Sequence, residues 1–188
     1  MKRNIIIFSL SLLFWAICSC AALAAPLPLH DDLGAEGLAE RFNEVFSENK
    51  HRSVFVTSCN KLPEFNGEEI YMLETNIGDK GDNLIMVYPN ADGLIKKILI
   101  MARKDSSIGT GKMFDAIAEE CVVLFNAAFI DRANEDEIEK MLHAVAMSFK
   151  TGKSNFYSSG TARRYIIDTF ERKSNNIIYG NVRITAQD

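Results

Sequence analysis

The sequence predicts an α+β fold: an antiparallel sheet covered by an N-terminal helix and by a long central helix followed by a second one. Three observations carry this. Four short apolar segments between residues 53 and 102 are separated by turns rich in Gly, Asn and Asp. Two strongly helical segments follow with no strand between them, and two β-rich segments then close the chain. Strands in blocks, with helices between the blocks, argue for antiparallel pairing and against an alternating doubly wound sheet.

The elements follow in order. A helix is expected from near Asp32 to about Ser47, because Leu38, Phe42, Val45 and Phe46 share one face while Glu36, Glu40, Arg41, Glu44 and Glu48 share the other. Its polar face is mostly acidic, which suits packing on a sheet and not lying on a membrane. Strands are expected over Ser53 to Cys59, Ile70 to Ile77, Asn83 to Tyr88 and Leu94 to Ala102. Asn66-Gly67 marks a tight hairpin, and the other connections are short, so consecutive strands should pair antiparallel. Both alternating sets of the fourth strand are largely apolar, which predicts a central strand covered on both faces for part of its length.

The longest helix is expected over Thr110 to Ile130. Met113, Phe114, Ile117, Cys121, Leu124, Phe125 and Ala128 track one face, and Val122, Val123 and Phe129 widen it. A second helix opens with Asn134 as N-cap and Glu137 three residues on, as in a capping box. Glu135 and Asp136 favour that start. Ile138, Met141, Leu142, Val145 and Phe149 form its apolar face, and Gly152 ends it. A short strand at Phe156 and Tyr157 precedes a hairpin of Thr161 to Phe170 and Asn176 to Ala186. Glu171-Arg172-Lys173-Ser174-Asn175 should form its loop.

The chain opens with an export leader. Lys2 and Arg3 precede an apolar run from Ile5 to Ile17, and Ala22-Leu23-Ala24 offers small residues before a cleavage point. The run is too short to span a bilayer comfortably. The expected organisation is a signal peptide over 1–24, a flexible tail over 25–34 and a single α+β domain over 35–188. Ile17-Cys18-Ser19-Cys20 also resembles a bacterial lipobox, with Cys20 as the lipidated residue. The expected location is therefore periplasmic or secreted, with a membrane-anchored lipoprotein as the alternative.

A composition of 47% hydrophobic and 24% charged residues is that of a folded globular chain. The formal charge is −4, and loss of Lys2 and Arg3 with the leader lowers it further. An acidic domain lacks the basic footprint that nucleic acid requires. Contact with a membrane is expected only through a lipid on Cys20.

No cofactor fingerprint, metal-ligand spacing or catalytic signature stands out. Ile108-Gly109-Thr110-Gly111-Lys112 opens a helix but departs from a phosphate-binding loop, since Met113 stands where Ser or Thr belongs. His30, His51 and His143 are scattered, with no pair at metal spacing. No Gly-x-Ser-x-Gly elbow is present. The acidic run of Asp131, Glu135, Asp136, Glu137 and Glu139 lacks a calcium-loop pattern. Beyond the leader only Cys59 and Cys121 remain, and in an oxidising compartment they are candidates for one disulfide.

One feature points to binding. Phe156, Tyr157, Tyr165, Phe170 and Tyr179 interleave with Arg163, Arg164, Arg172 and Lys173 near the C-terminus, and Tyr and Arg are enriched at interface hot spots. Tyr165, Tyr179, Arg163 and Arg164 are the candidate contacts. The expectation is an exported bacterial-type domain that is a non-enzymatic binding or accessory module, an enzyme inhibitor being one form of it. Its partner would be a protein, peptide or glycan. An extracytoplasmic hydrolase with a site assembled from scattered residues is the alternative, as is a lipid-tethered envelope protein with a structural role.

Overall fold

The computed structural model describes residues 29–48, 54–77, 82–104, 113–128, 135–158, 164–174 and 177–187. The signal segment, Cys20, His51, the 108–112 turn, Asn134 and Arg163 lie outside them. Helix α1 spans Ala35–Glu48, and β1 to β4 span Val56–Phe65, Glu68–Thr75, Asn83–Pro89 and Ile95–Arg103. Helices α2 (Met113–Ala128) and α3 (Glu135–Thr151) follow, then β5 (Asn155–Ser158), β6 (Arg164–Ser174) and β7 (Ile177–Gln187). The strands form one antiparallel sheet ordered β1-β2-β3-β4-β7-β6-β5. The α+β fold expected from the sequence is the one observed.

Local chemistry explains the turns. Asn66 and Gly67 both take positive φ, at 53° and 75°, the geometry a two-residue hairpin needs. Phe65 therefore pairs directly with Glu68, so β1 runs to the turn instead of stopping at Cys59. Pro63 is tolerated because β1 is an edge strand and its register is irregular there. Between β3 and β4 the Asn90 Oδ1 accepts from the amides of Asp92 and Leu94, a side-chain-stabilised turn. Gly152, at φ 64°, closes α3 with its amide on the Ser148 carbonyl.

The final hairpin is longer than expected. Residues 171 to 174 continue β6, with Lys173 opposite Ile178 and Ser174 opposite Ile177. Cross-strand pairing holds polar residues in extended backbone where composition alone suggested a loop.

The three described helices lie on one side of the sheet. Leu73, Ile85, Val87, Ile98, Ile100, Ala102, Val182, Ile184, Tyr165 and Ile167 point to that side and are buried. Helix α1 covers β1 and β3, α2 covers β4, and α3 covers β5 and β6. Phe42 and Leu38 of α1, and Ile117, Cys121 and Leu124 of α2, are fully buried against this layer. Strand β4 is central, as expected, and the described helices cover one of its faces, while Leu99 and Met101 on the other stay half-exposed.

Leu29 to Gly34 are packed, not a loose tail. Leu29 has no exposed surface and Leu33 is buried. The Leu29 amide donates to the Ile95 carbonyl at 2.6 Å, and the Ile95 amide donates to the Leu33 carbonyl at 3.1 Å. Two apolar side chains and two backbone bonds hold this strap at the start of β4.

Gly180 leaves room for the flexible end of Met113. A Cβ there would lie 2.6 Å from Met113 Cε and 2.7 Å from its Sδ. Gly180→Val should cost about 1–3 kcal/mol by overpacking, and Met113→Ala in the same chain should recover part of that loss. Urea denaturation of both single variants and the double variant checks it; strictly additive effects would disprove the contact.

Candidate functional site

The side of the sheet opposite the helices carries the first candidate site. Register places Met72, Met86, Leu99, Arg183 and Asp168 side by side across β2, β3, β4, β7 and β6. The next row is Glu74, Leu84, Met101, Asn181 and Phe170. Met72, Leu84, Met86, Leu99 and Met101 are half-buried, and Phe170 is 38% exposed. Thioether side chains are soft and adapt to irregular partners.

Two corners of this face come within electrostatic reach of each other, and we call the curved surface between them the trough. Tyr88, which pairs with Lys97, and Arg172, which pairs with Tyr179, sit at opposite corners of the sheet. Burial, then the Glu68 charge, raises the Tyr88 phenol, while Arg172 is near enough to pull it the other way. Twist folds these diagonal corners toward each other. Asn181, on the same face, is fully buried, its Nδ2 donating to the Phe170 carbonyl at 3.1 Å and the Tyr179 carbonyl at 3.0 Å.

Charged side chains rim the apolar floor. Arg183 donates from Nε at 3.0 Å and Nη2 at 2.8 Å to Asp168 Oδ2, and Ser154 Oγ donates to the other carboxylate oxygen. The Arg183 guanidinium lies 5.8 Å from the Phe170 ring centroid. Lys97 Nζ sits 3.7 Å from the Tyr88 ring centroid and 3.4 Å from Glu68. At one end of the trough Arg103, Tyr179 and Arg172 stand in a single cross-strand row.

A second candidate is buried on the helix side. Glu120 of α2 has no exposed surface, and its Oε1 accepts from Thr75 Oγ1 at 2.8 Å. Its Oε2 has no partner, nor do Oδ1 and Nδ2 of buried Asn83. Burial pushes the Glu120 carboxyl from 4.5 up to about 8; Thr75 and Asn83 oppose the rise and Glu119 adds to it. Asn83 is near enough to act on the carboxyl, yet its amide misses hydrogen-bond geometry. A carboxyl raised in this way is neutral at pH 7 and can donate as well as accept. Buried groups left unpaired in such a cluster commonly hold water. No catalytic partner adjoins Glu120 among the described residues, since His30 is engaged by the Asp32 amide at 3.1 Å and His143 is exposed.

A pocket of about 280 Å³ opens at the start of α1, lined by Gly34, Glu36, Gly37, Glu69, Tyr71 and Gly93 among others. Glu69 is taken by Lys61 at 2.6 Å and by the Tyr71 hydroxyl at 2.8 Å. The two carboxylates oppose any anion the helix end would attract.

The residues singled out from the sequence do not form one patch. Tyr165 faces the helices, 2% exposed, with its ring edge-on to Phe125 at 5.7 Å and its hydroxyl 3.5 Å from the Leu29 carbonyl. It is a core residue and cannot touch a surface partner. Tyr179 stands on the opposite face, and Arg164 is exposed at the start of β6. Arg163 lies outside the described residues. Phe156 and Tyr157 do form the short strand β5. Among the described residues no group of three or more His, Cys, Asp or Glu side chains could hold a metal ion.

Cys59 and Cys121 are free thiols, so the expected bridge is absent from the structure. Cys121 is sealed in the core and Cys59 is half-buried on β1. Burial raises the pKa of both, with Glu120 adding to the effect at Cys121 and Glu36 at Cys59. Each is thereby a poor nucleophile.

The methionine face was missed at the level of sequence, although its signal is there. Alternate residues Leu84, Met86 and Leu99, Met101 are apolar on the side not needed for the helices. Glu120 was also legible: it falls between Ile117 and Leu124 at spacings of three and four on an otherwise apolar helical stripe.

No protein-family model matches this chain, and neither does any curated protein or solved structure.

Proposed function

We propose that this protein is an exported, non-enzymatic binding or accessory module that holds an apolar polypeptide segment in the trough on the open face of its sheet. The observation that carries this reading is the set of Met72, Leu84, Met86, Leu99 and Met101, half-exposed with no described helix packed upon them. A contiguous apolar patch rimmed by charge is the usual signature of an interaction surface. Methionine-rich surfaces accept varied apolar partners by repacking. A glycan fits less well, because the floor is aliphatic and thioether and offers few polar groups to sugar hydroxyls. The leader at Lys2 to Ala24 supports export, and among the described residues the thiols and histidines supply no nucleophile–base pair that would favour hydrolysis.

The test is titration with a synthetic amphipathic peptide of Leu and Ser, followed by fluorescence anisotropy. Binding is expected, and Leu99→Glu should weaken it by more than about tenfold, since a carboxylate would be buried against an apolar ligand. Glu44→Lys, on the exposed side of α1, should leave it unchanged. Absence of binding, or equal binding by the Leu99→Glu variant, removes the trough as the working surface.

A further inference from the structure

Strand β6 pairs with β7 along its whole length, from Arg164 to Ser174. Its other neighbour, β5, is much shorter and stops opposite Ile167. From Thr169 to Ser174 no described strand lies on the outer side of β6, so this stretch is a sheet edge. Alternate residues of such an edge turn an amide and a carbonyl outward. Helix α3 touches it at Thr169, where Ser148 Oγ lies 3.0 Å from Thr169 Oγ1, while Phe170, Glu171, Arg172 and Lys173 are all exposed. The opposite edge of the sheet is guarded. Strand β1 carries Pro63, and its register shifts between Val56 and Ser58 and again between Leu62 and Phe65. Strand β6 has no proline, and its register is unbroken. Its charged side chains stand above and below the sheet, not in its plane, and Glu171 is held by Lys104 at 2.7 Å.

We propose that the outer edge of β6 from Thr169 to Ser174 is a strand-docking site, where an extended segment of a partner polypeptide adds to the sheet in line with β5. This site goes beyond the trough reading and does not depend on it. The groups on offer define the occupant: in-plane amides and carbonyls at strand spacing are satisfied together by another extended main chain. Side chains set its composition. Phe170, 38% exposed on the open face, takes an apolar neighbour, while the exposed Arg172 and Lys173 disfavour a wholly apolar strand. The segment therefore alternates apolar and polar residues.

Amide hydrogen exchange read by NMR on the purified protein tests this, with a short synthetic peptide of alternating Val and Thr as the probe. Without peptide, alternate amides from Thr169 to Ser174 should exchange fast while those facing β7 are protected. Saturating peptide should slow the fast set by about tenfold or more. The same peptide N-methylated throughout keeps its side chains but loses its main-chain donors, and it should not bind. Leu99→Glu, which alters the trough, should leave the protection at the β6 edge intact. Protection of every amide from Thr169 to Ser174 before peptide is added, no slowing with peptide, or equal protection by the N-methylated peptide overturns the edge. Protection that rises with protein concentration in the absence of peptide makes a second copy of the chain the occupant and overturns the partner assignment. Loss of edge protection in Leu99→Glu, with its thermal melt unchanged, places the peptide in the trough and overturns this site alone.

Discussion

Glu120→Gln should make the protein more stable at pH 9 and leave it nearly unchanged at pH 5. The Glu120 carboxyl is raised from 4.5 to about 8, with burial the chief cause. Between those two values the folded chain keeps a proton that the unfolded chain has released. Stability from this group is therefore highest at acid pH and falls as pH rises through the window, levelling off above it. The loss amounts to as much as about 5 kcal/mol. Glutamine cannot ionise, so it escapes this loss. Its carbonyl can still accept from Thr75, and its amide can donate to Asn83 Oδ1, which has no partner. The charge acting on Glu120 comes from Glu119 on its own helix, while Thr75 and Asn83, from the strands packed against it, are uncharged. Guanidinium denaturation of both proteins from pH 5 to pH 9 supplies the difference curve. Parallel curves, or a glutamine variant that is the weaker one at pH 9, would show that Glu120 is ionised in the fold.

Tyr165→Ala should cost about 3–5 kcal/mol, the range for emptying a large aromatic site in a core. The ring is 2% exposed and meets Phe125 edge-on at an interplanar angle of 79°, a geometry that adds to simple burial. Tyr165→Phe should cost about 1 kcal/mol, the typical net worth of one hydrogen bond such as that from the hydroxyl to the Leu29 carbonyl at 3.5 Å. Tyr179→Ala, on the half-exposed face, should change stability by less than about 1 kcal/mol. Urea midpoints of the three variants decide between core and surface. Similar small losses at Tyr165 and Tyr179 would place both on the surface, as residue type alone had suggested.

That pair shows why the candidate site was only partly legible. Tyr165 and Tyr179 lie in strands of the same hairpin with the same composition nearby. Their different fates come from alternation: Tyr165 shares the helix side with Ile167 and Ile184, and Tyr179 shares the open side with Arg103 and Arg172. Alternation was visible in the sequence, but the side each set would face was not. The double apolar alternation of β4 led to the same ambiguity. The pattern suits cover on both faces, whereas the second apolar set stays half-exposed on the open side.

The amino-acid sequence by itself determined the elements and their type, because periodicity, turn chemistry and caps act within a few residues. Asn66-Gly67 makes its hairpin, Gly152 ends its helix, and the spacing of Ile117, Cys121 and Leu124 makes α2 a buried helix. Only the tertiary structure decided that three helices share one side of the sheet, that Leu29 and Leu33 strap onto β4, and that Glu120 is sealed against Thr75 and Asn83. Those outcomes depend on contacts between residues far apart in the chain, such as Leu29 and Tyr165, which are separated by 136 in sequence. A local pattern states which residues will be buried together along one element, and the packing of elements sets what they are buried against.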